Sequence, residues 1–399
     1  MEFRELANKY GTPLYVYDFN HITEQFTKLK EAFKARKSLV CYAVKANSNL
    51  SVLKHLKELG AGCDCVSIGE VKRALHVGVA RYKIIFSGVG KRDDEIREAL
   101  KEDILMINLE SEEEMGRVEA IAKELGIKAR ISIRVNPNID AKTHPYISTG
   151  LHDNKFGVDI DSAKRMYIKA KNSENLVPVG IHFHIGSQIT ELEPFREAAK
   201  MVSDLVRNLQ SLKIDIKFFD VGGGVGIDYE GEETLNLYDY SQAIFENLTG
   251  LDITLTCEPG RFLVGNCGTF LTKVLYEKNN GKKRFVIVDG AMNDLGRPSL
   301  YGAYHKIEVI GSEGDESEAD VVGPVCESTD FFAKNRVLPK TKHDDLLAIK
   351  SAGAYGFTMS SNYNTRAKVA EVAIIDGKEK LIRQRDNFED MIKNEGVCI

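Results

Sequence analysis

Between residues 38 and 260 the chain alternates short β-branched runs with longer amphipathic, charged stretches, which is the βαβα pattern of parallel-sheet proteins. The predicted buried strands cover residues 39–45, 61–67, 82–88, 104–110, 129–136, 177–185, 217–222 and 252–258. The segments between them, such as KRDDEIREALKED, carry apolar residues at helical spacing. Eight strand and helix repeats in roughly 220 residues are typical of a closed (β/α)8 barrel of the TIM type. The sequence therefore predicts an α/β barrel, with an open doubly wound sheet as the alternative.

The sequence pattern changes after Gly260, where runs such as GTFLTKVLYEK and AKVAEVAIIDGKEKLIRQR read as strands joined by turns. We predict a barrel over residues 25–264 and a β-rich domain over residues 1–24 and 265–399. In this domain a strand in GTPLYVYD joins the C-terminal strands. The longest barrel connection, residues 137–161, is too rich in turn residues for a helix, and we expect such a long ordered loop to be functional.

Composition narrows the possible partners. The 399 residues carry a formal net charge of -5 with scattered Lys and Arg, so neither a nucleic-acid partner nor a membrane surface is expected. Charged residues within the first ten positions argue against a signal peptide or a membrane span. The seven cysteines show no CxxC pair and no Cys/His spacing for a metal. We expect no metal site and a reducing cytoplasm.

Charged side chains stand where two of the predicted strands end, and barrel enzymes place their active sites at these ends. Lys45 ends the first strand in LVCYAVKANSN. Taken alone, Lys45 is either a solvated lysine or an amine that forms a Schiff base with an aldehyde. Glu258 ends the eighth strand. It either forms a structural salt bridge with Arg261 or keeps a cofactor ring nitrogen protonated.

Two further features lie at neighbouring strand ends. The GGG of FDVGGGVGIDY follows the seventh strand, and it is either a plain turn or a backbone site for phosphate. His182 and His184 alternate along the sixth strand and face the same side. We assign His182 to the barrel interior and His184 to stacking on a flat cofactor. A phosphate loop, a Schiff-base lysine, a stacking surface and a ring-nitrogen carboxylate together describe a site for pyridoxal 5'-phosphate.

Seven motifs occur in order through almost the whole chain: YAVKANSN, HFHIGSQ, GGGVGIDY, CEPGRFLVG, GRPSLYGAYH, GPVCESTDFF and GAYGFTMSSNYN. Together they resemble the meso-diaminopimelate decarboxylases, pyridoxal phosphate enzymes of the alanine-racemase-like group. HxHIGSQ and EPGR belong to the wider decarboxylase group, whereas GRPSLYGAYH and CESTDFF point to the diaminopimelate branch. The resemblance implies a carboxy-lyase that converts meso-2,6-diaminopimelate to L-lysine and carbon dioxide, the last step of lysine biosynthesis.

The resemblance also implies roles for individual residues. Lys45 binds the cofactor covalently, and Cys326 returns a proton after carbon dioxide leaves. The implied cofactor-binding residues are Lys45, Asp64, Arg134, His184, Ser187, Gly222, Gly223, Gly224, Glu258, Gly260, Arg261 and Tyr355. The implied substrate-binding residues are Arg261, Arg297, Tyr301, Glu327 and Tyr355. The family pattern further implies a homodimer in which Cys326 and Glu327 complete the site of the partner subunit.

Other functions are weighed on the same residues. Arg297 with Glu327 suits a substrate that carries a second carboxylate and ammonium, which argues against a decarboxylase of ornithine, arginine or carboxynorspermidine. A racemase of this fold would be expected to carry an arginine where Glu258 stands. A non-enzymatic regulator would be expected to lack Lys45 or Cys326, and a simple pyridoxal phosphate carrier would lack the C-terminal β domain.

Overall fold

The structure is a computed structural model that describes residues 2–140, 154–312 and 314–396. Part of the long connection predicted over residues 137–161, namely 141–153, lies outside the described residues. The chain divides into two compact units. One comprises residues 1–22, 228–232 and 263–399, and the other comprises residues 23–227 and 233–262. The range predicted for the barrel, 25–264, includes residues 228–232, which the structure groups with the other unit.

Both units contain strands and helices. The strands of the described residues are β1 (Leu14–Asp18), β2 (Ser38–Ala43), β3 (Gly62–Cys65), β4 (Ile84–Phe86), β5 (Met106–Leu109), β6 (Ala129–Arg134), β7 (Leu176–His182), β8 (Phe218–Asp220), β9 (Thr254–Cys257), β10 (Gly268–Asn280), β11 (Lys283–Val288), β12 (Ile307–Val309), β13 (Glu316–Val322), β14 (Phe331–Pro339), β15 (Leu346–Ile349), β16 (Ala370–Ile375) and β17 (Lys378–Arg383). The helices are α1 (Phe3–Tyr10), α2 (Phe19–Ala32), α3 (Leu50–Glu58), α4 (Ile68–His76), α5 (Asp93–Lys101), α6 (Glu112–Leu125), α7 (Ile160–Lys171), α8 (Glu193–Ser211), α9 (Leu237–Phe245), α10 (Arg261–Val264), α11 (Arg297–Tyr301) and α12 (Phe388–Ile392).

Strands β2 to β9 form a closed parallel barrel, which confirms the predicted fold class. Strand β9 closes on β2, where Val40 pairs with Cys257. The strands are almost entirely buried, because helices cover a parallel barrel outside and side chains fill it inside. All eight strands occur in the predicted order. All eight end one to three residues earlier than predicted, so the polar residues after them lie on loops at the carboxyl rim.

Local sequence sets the helices that surround the barrel. The Ser67 hydroxyl accepts a hydrogen bond from the Glu70 backbone N–H and caps α4, and Ser111 caps α6 in the same way. Helix α6 is capped at its C-terminal end by Gly126, whose φ of 67° places it in the left-handed region. Met115, Val118 and the other apolar residues of α6 recur at helical spacing and are buried. Short capped helices of this kind return the chain to the start of the next strand.

The β-rich unit contains a sheet with the order β14-β13-β11-β10-β1-β16-β17, and β15 and β12 extend it from β10. Strand β1 lies between β10, to which it is antiparallel, and β16, to which it is parallel. Leu6 and Ala7 of α1 pack on this sheet against residues such as Leu271 and Val372. The sequence pattern did not predict α1, β13 or β14. Strand β13 begins with exposed Glu316, Ser317 and Glu318, so its first half lacks the β-branched and aromatic residues that indicate a strand.

None of the helices in the described ranges combines the length and the apolarity that a membrane span requires.

Candidate active site

A cavity of about 410 Å³ lies at the carboxyl rim of the barrel. Predicted site residues that line it are Lys45, Asp64, Arg134, His184 and Glu258. This size is within the usual range for pockets that bind small molecules and cofactors. The barrel therefore brings together five side chains that are far apart in sequence.

Lys45 lies in a single helical turn, Val44–Ala46, directly after β2. Its Nζ is 3.2 Å from Oδ2 of Asp64, and 40% of the lysine side chain is exposed whereas the Asp64 side chain is fully buried. Burial raises the pKa of Asp64, the charge of Glu258 raises it further, and Lys45 opposes both effects. The amine is thus held on the pocket wall and stays accessible to a ligand.

Glu258 follows β9 and is almost completely buried, as is His182, whose Nε2 lies 3.2 Å from the Glu258 Oε2. Burial favours the neutral acid, but His182 and Lys45 outweigh it and lower the pKa of Glu258 to about 2. Asp220 behaves in the opposite way, because burial and the charge of Glu258 raise its pKa well above the ordinary value. The pKa values of these two neighbouring carboxyl groups are thus shifted in opposite directions, and Glu258 is the one that carries the charge.

The glycine run after β8 is shaped by its own backbone contacts. The N–H of Gly222 donates to Oδ1 of Asp220 at 2.9 Å, and the N–H of Gly223 donates to Nδ1 of His184 at 3.2 Å. Gly222 has a φ of 66°, and a Cβ there would lie 2.6 Å from the Phe183 carbonyl oxygen. Since two of its N–H groups bind protein atoms, a phosphate would depend on Gly224 and on side chains nearby.

The imidazole of His184 is therefore fixed. Its Nδ1 accepts from Gly223, so its Nε2 carries the proton when the ring is neutral. Burial and the positive charges of Arg134 and Lys45 lower the pKa of His184 well below its usual range. The result is a neutral flat ring on the wall of the cavity, which suits stacking on a planar cofactor.

Ser187 and Arg261 are also brought together. Arg261 begins α10 and is 6% exposed, and its Nη2 donates to Oγ of Ser187 at 3.1 Å. Gly260 approaches the first barrel connection closely, because a Cβ there would lie 3.0 Å from Cβ of Ala46 and 3.1 Å from Cβ of Ala43. A hydroxyl, a guanidinium and the unobstructed backbone of a glycine are the groups that typically bind a phosphate.

Arg134 ends β6 and is held by a buried acid that the sequence pattern does not single out. Its Nη1 donates to Oε1 of Glu110 at 2.9 Å, and the other oxygen of Glu110 accepts from the N–H of Gly157 at 2.6 Å. The guanidinium also lies 4.6 Å from the ring centroid of Phe156, which lines the cavity. Glu110 thus anchors both Arg134 and the end of the connection that returns after residue 153.

Three residues of the site were missed or given a minor role by sequence reasoning: His182, Asp220 and Glu110. The alternation of His182 with His184 and the position of Glu110 at the end of a predicted strand were visible, whereas Asp220 lies inside a predicted strand and gave no such signal. What the sequence could not show is that β7, β8 and β9 bring His182, Asp220 and Glu258 together, with one ligand atom of each within 4.8 Å of the others.

The β-rich unit contains the remaining predicted residues. Arg297 begins the short helix α11 and Tyr301 ends it, and Arg297 is 7% exposed. Tyr355 lies in a loop with a φ of 56°, a conformation that is uncommon for residues other than glycine and that often occurs at functional sites.

Cys326 and Glu327 lie on an exposed loop between β13 and β14. Asp330 shapes this loop, because its two carboxylate oxygens accept from the N–H groups of Met292 and Val325, both at 2.7 Å. The N–H of Cys326 donates to Oδ1 of Asn364 at 2.9 Å. The loop is therefore ordered by internal contacts while its thiol and carboxylate point outward.

The chemistry of these groups can be compared with two kinds of ligand. His182, Asp220 and Glu258 are a nitrogen and two carboxylates that can ligate a divalent cation. Binding of a metal, however, would not require the amine of Lys45, the neutral ring of His184 or the Ser187 and Arg261 pair. These three features fit the aldehyde, the ring face and the phosphate of pyridoxal phosphate, and Glu258 fits its ring nitrogen.

A family model described as "Pyridoxal-dependent decarboxylase, pyridoxal binding domain" matches residues 19–265. This range contains the whole barrel and its cavity. Together with the side chains described above, the match places the chain in the class of pyridoxal-dependent decarboxylases.

Similar proteins define the branch of this class. Diaminopimelate decarboxylase of Campylobacter jejuni is 62% identical over 396 residues, covering 99% of this chain and 98% of that protein. Diaminopimelate decarboxylase of Helicobacter pylori strain J99 is 56% identical and covers 98% of each chain. A crystal structure of the Helicobacter pylori enzyme complexed with L-lysine superposes with a TM-score of 0.96 at 55% identity, over 99% of each chain. The chain belongs to the diaminopimelate decarboxylase family, which confirms the predicted family, carboxy-lyase class and cofactor.

Proposed function

We propose that the chain decarboxylates the D-configured centre of meso-2,6-diaminopimelate and releases L-lysine and carbon dioxide, the last step of lysine biosynthesis. The observation that carries this proposal is that one cavity is lined both by the accessible amine of Lys45 and by Glu258, a buried carboxylate whose pKa is lowered to about 2. The named relatives, and the L-lysine in the Helicobacter pylori complex, support the choice of substrate.

Pyridoxal phosphate, when bound, supplies an aldehyde that condenses with amines and a pyridinium ring that accepts the electrons of the breaking bond. Lys45 would hold the aldehyde through its amine. Glu258, as a carboxylate, would keep the ring nitrogen protonated. His184 would support the ring face, and Ser187, Gly224, Gly260 and Arg261 would hold the phosphate.

Arg297 and Glu327 recognise the distal amino-acid end of the substrate, with Tyr301 and Tyr355 beside it. A planar guanidinium binds a carboxylate through two parallel hydrogen bonds, and a carboxylate pairs with an ammonium. Ornithine has no distal carboxylate, so such a site discriminates against it. Cys326 returns the proton to the α-carbon as carbon dioxide leaves, since thiols, whose ordinary pKa is ~8.5, can act as general acids.

We further propose a homodimer in which Cys326 and Glu327 complete the site of the partner subunit. Their exposure on an ordered loop supports this arrangement. The six cysteines that the structure describes are all free, which supports a reducing compartment such as the cytoplasm.

The decisive assay compares carbon dioxide release from meso-diaminopimelate, ornithine and arginine. We expect release from meso-diaminopimelate alone, and the absorption band of covalently bound cofactor in the wild type but not in Lys45→Ala. A wild type that stays colourless after incubation with pyridoxal phosphate would exclude the cofactor assignment.

The shared site is tested by mixing two inactive variants. Lys45→Ala and Cys326→Ala, refolded or co-expressed together, should recover part of the wild-type activity, because one of the two sites in a mixed dimer contains both native residues. Verified mixed dimers without any recovery would show that each chain builds its own site.

A further inference from the structure

Arg297 makes an unusual hydrogen bond inside the β-rich unit. Its Nη1 lies 2.9 Å from Nε2 of His305, and His305 Nδ1 lies 2.8 Å from the carbonyl oxygen of Lys350. Arg297 and His305 are 7% and 0% exposed. We refer to His305 with the Lys350 carbonyl and the Tyr229 ring as the His305 clamp.

The two contacts determine the protonation of the ring. Arginine has only donors, so Nε2 of His305 must be the acceptor, and a carbonyl oxygen only accepts, so Nδ1 must carry the proton. His305 is thus a neutral imidazole that passes a hydrogen bond from Arg297 to the backbone. It holds the guanidinium without adding a negative charge next to it.

Neighbouring groups fix the clamp. The Tyr229 ring lies under the guanidinium, with its centroid 4.8 Å from Cζ of Arg297, and it meets the His305 ring edge-on at 5.6 Å and 86°. The Lys350 N–H donates to the Lys306 carbonyl at 2.9 Å, next to the ladder in which Ile307 pairs with Ile349. The carbonyl that orients His305 therefore belongs to the residue directly after β15, whose backbone the neighbouring segment holds in place.

We propose that His305 is a positioning residue that aims Arg297 at the distal carboxylate of the substrate. This inference rests on the proposed role of Arg297 in substrate binding. A neutral partner suits that role, because a carboxylate in its place would compete with the substrate carboxylate for the same guanidinium. Without the His305 acceptor, the Arg297 guanidinium is no longer held in one orientation, and its binding of the substrate carboxylate weakens. The decarboxylation step at the other end of the substrate is unchanged.

The experiment measures binding of two ligands to the pyridoxal phosphate-loaded enzyme by spectral titration. L-Lysine retains the distal carboxylate, and cadaverine lacks it. In His305→Phe, which keeps an aromatic ring against Tyr229, we expect affinity for L-lysine to fall about tenfold, as for loss of a hydrogen bond to a charged group. Affinity for cadaverine and kcat should change less than twofold. His305→Gln, whose amide oxygen can replace Nε2 as acceptor, should recover part of the affinity.

Arg297→Gln separates the possible failures. If Arg297→Gln binds L-lysine as the wild type does, the proposed role of Arg297 is wrong. If Arg297→Gln lowers the affinity for L-lysine and His305→Phe does not, the clamp inference alone is overturned. It is also overturned if His305→Phe lowers the affinity for both ligands equally. A further tenfold loss of L-lysine affinity when His305→Phe is added to Arg297→Gln would overturn it as well.

Should His305→Phe fail to fold, the comparison becomes His305→Gln with His305→Asn, since only the longer amide reaches the position of Nε2. Better L-lysine binding by the Gln variant supports the inference, and equal losses in the two variants overturn it.

Discussion

Replacement of Glu110 tests the internal support of the candidate active site. The side chains of Glu110 and Arg134 are 1% and 8% exposed, and Glu110 also accepts from the Gly157 N–H. In Glu110→Ala a buried guanidinium and a backbone N–H lose their acceptor together. Removal of one partner of a buried ion pair typically costs 3–5 kcal/mol, so we expect about 4 kcal/mol, which corresponds to a decrease in Tm of roughly 10 °C for a unit of this size.

The assay is thermal unfolding of Glu110→Ala and Glu110→Gln in parallel with pyridoxal phosphate titration. The Gln variant keeps one acceptor and the side-chain volume, so its Tm should fall by about half as much. Glu124→Ala is the matched control, since it removes an exposed ion pair with Arg97 near the end of α6 and should change Tm by no more than ~1 °C.

Affinity for pyridoxal phosphate should fall in both Glu110 variants, because Arg134 lines the cavity. A Glu110→Ala protein with the Tm and cofactor affinity of the wild type would refute the claim that this pair supports the site.

Three further predictions concern backbone, acid stability and charge. Gly222→Ala should weaken cofactor binding and lower Tm, since its Cβ would clash with a backbone oxygen. Gly126 is the control, because it has a similar φ of 67° but lies in open space, so Gly126→Ala should show only the cost of backbone strain. Equal decreases in Tm for the two variants would show that the clash is unimportant. Burial would raise the pKa of Glu277, but Arg284 and Thr341 lower it to about 2. Its contribution to stability is therefore complete above pH ~4.5 and is lost as the pH falls towards 2, so the Tm of Glu277→Gln should fall less steeply across that range than the Tm of the wild type. Glu258→Gln should keep the cofactor band but reduce kcat by about 10²-fold or more through loss of a preorganised charge, and an unchanged kcat would remove Glu258 from the mechanism.

The barrel could be predicted from the sequence because its strands are buried on both faces and read as short apolar runs. Its carboxyl rim was equally visible, since Lys45 and Glu258 directly follow such runs. The β-rich unit was predicted less completely. Acidic β13 does not resemble a strand, and the placement of β1 between β10 and β16 depends on contacts across more than 250 residues.

The contacts that tune the site were beyond prediction for a related reason. His182 was assigned to the barrel interior, and it does lie there, but its effect on the pKa of Glu258 depends on the distance between two strands that are not neighbours. The His305 clamp likewise joins residues from three separate segments. Periodicity identifies which side chains are buried, but only the fold shows which of them meet.

The cysteines have a practical consequence for chemical labelling. Burial raises the pKa of the thiols of Cys41, Cys63, Cys65, Cys257 and Cys267, which leaves them unreactive in the folded protein. Among the cysteines that the structure describes, Cys326 alone is exposed. An alkylating reagent or a fluorescent maleimide should therefore modify the native protein first at the thiol proposed to deliver the proton. The same reaction that stops turnover would then report how accessible that thiol is, and electrophilic inhibitors could be built on the substrate to reach it.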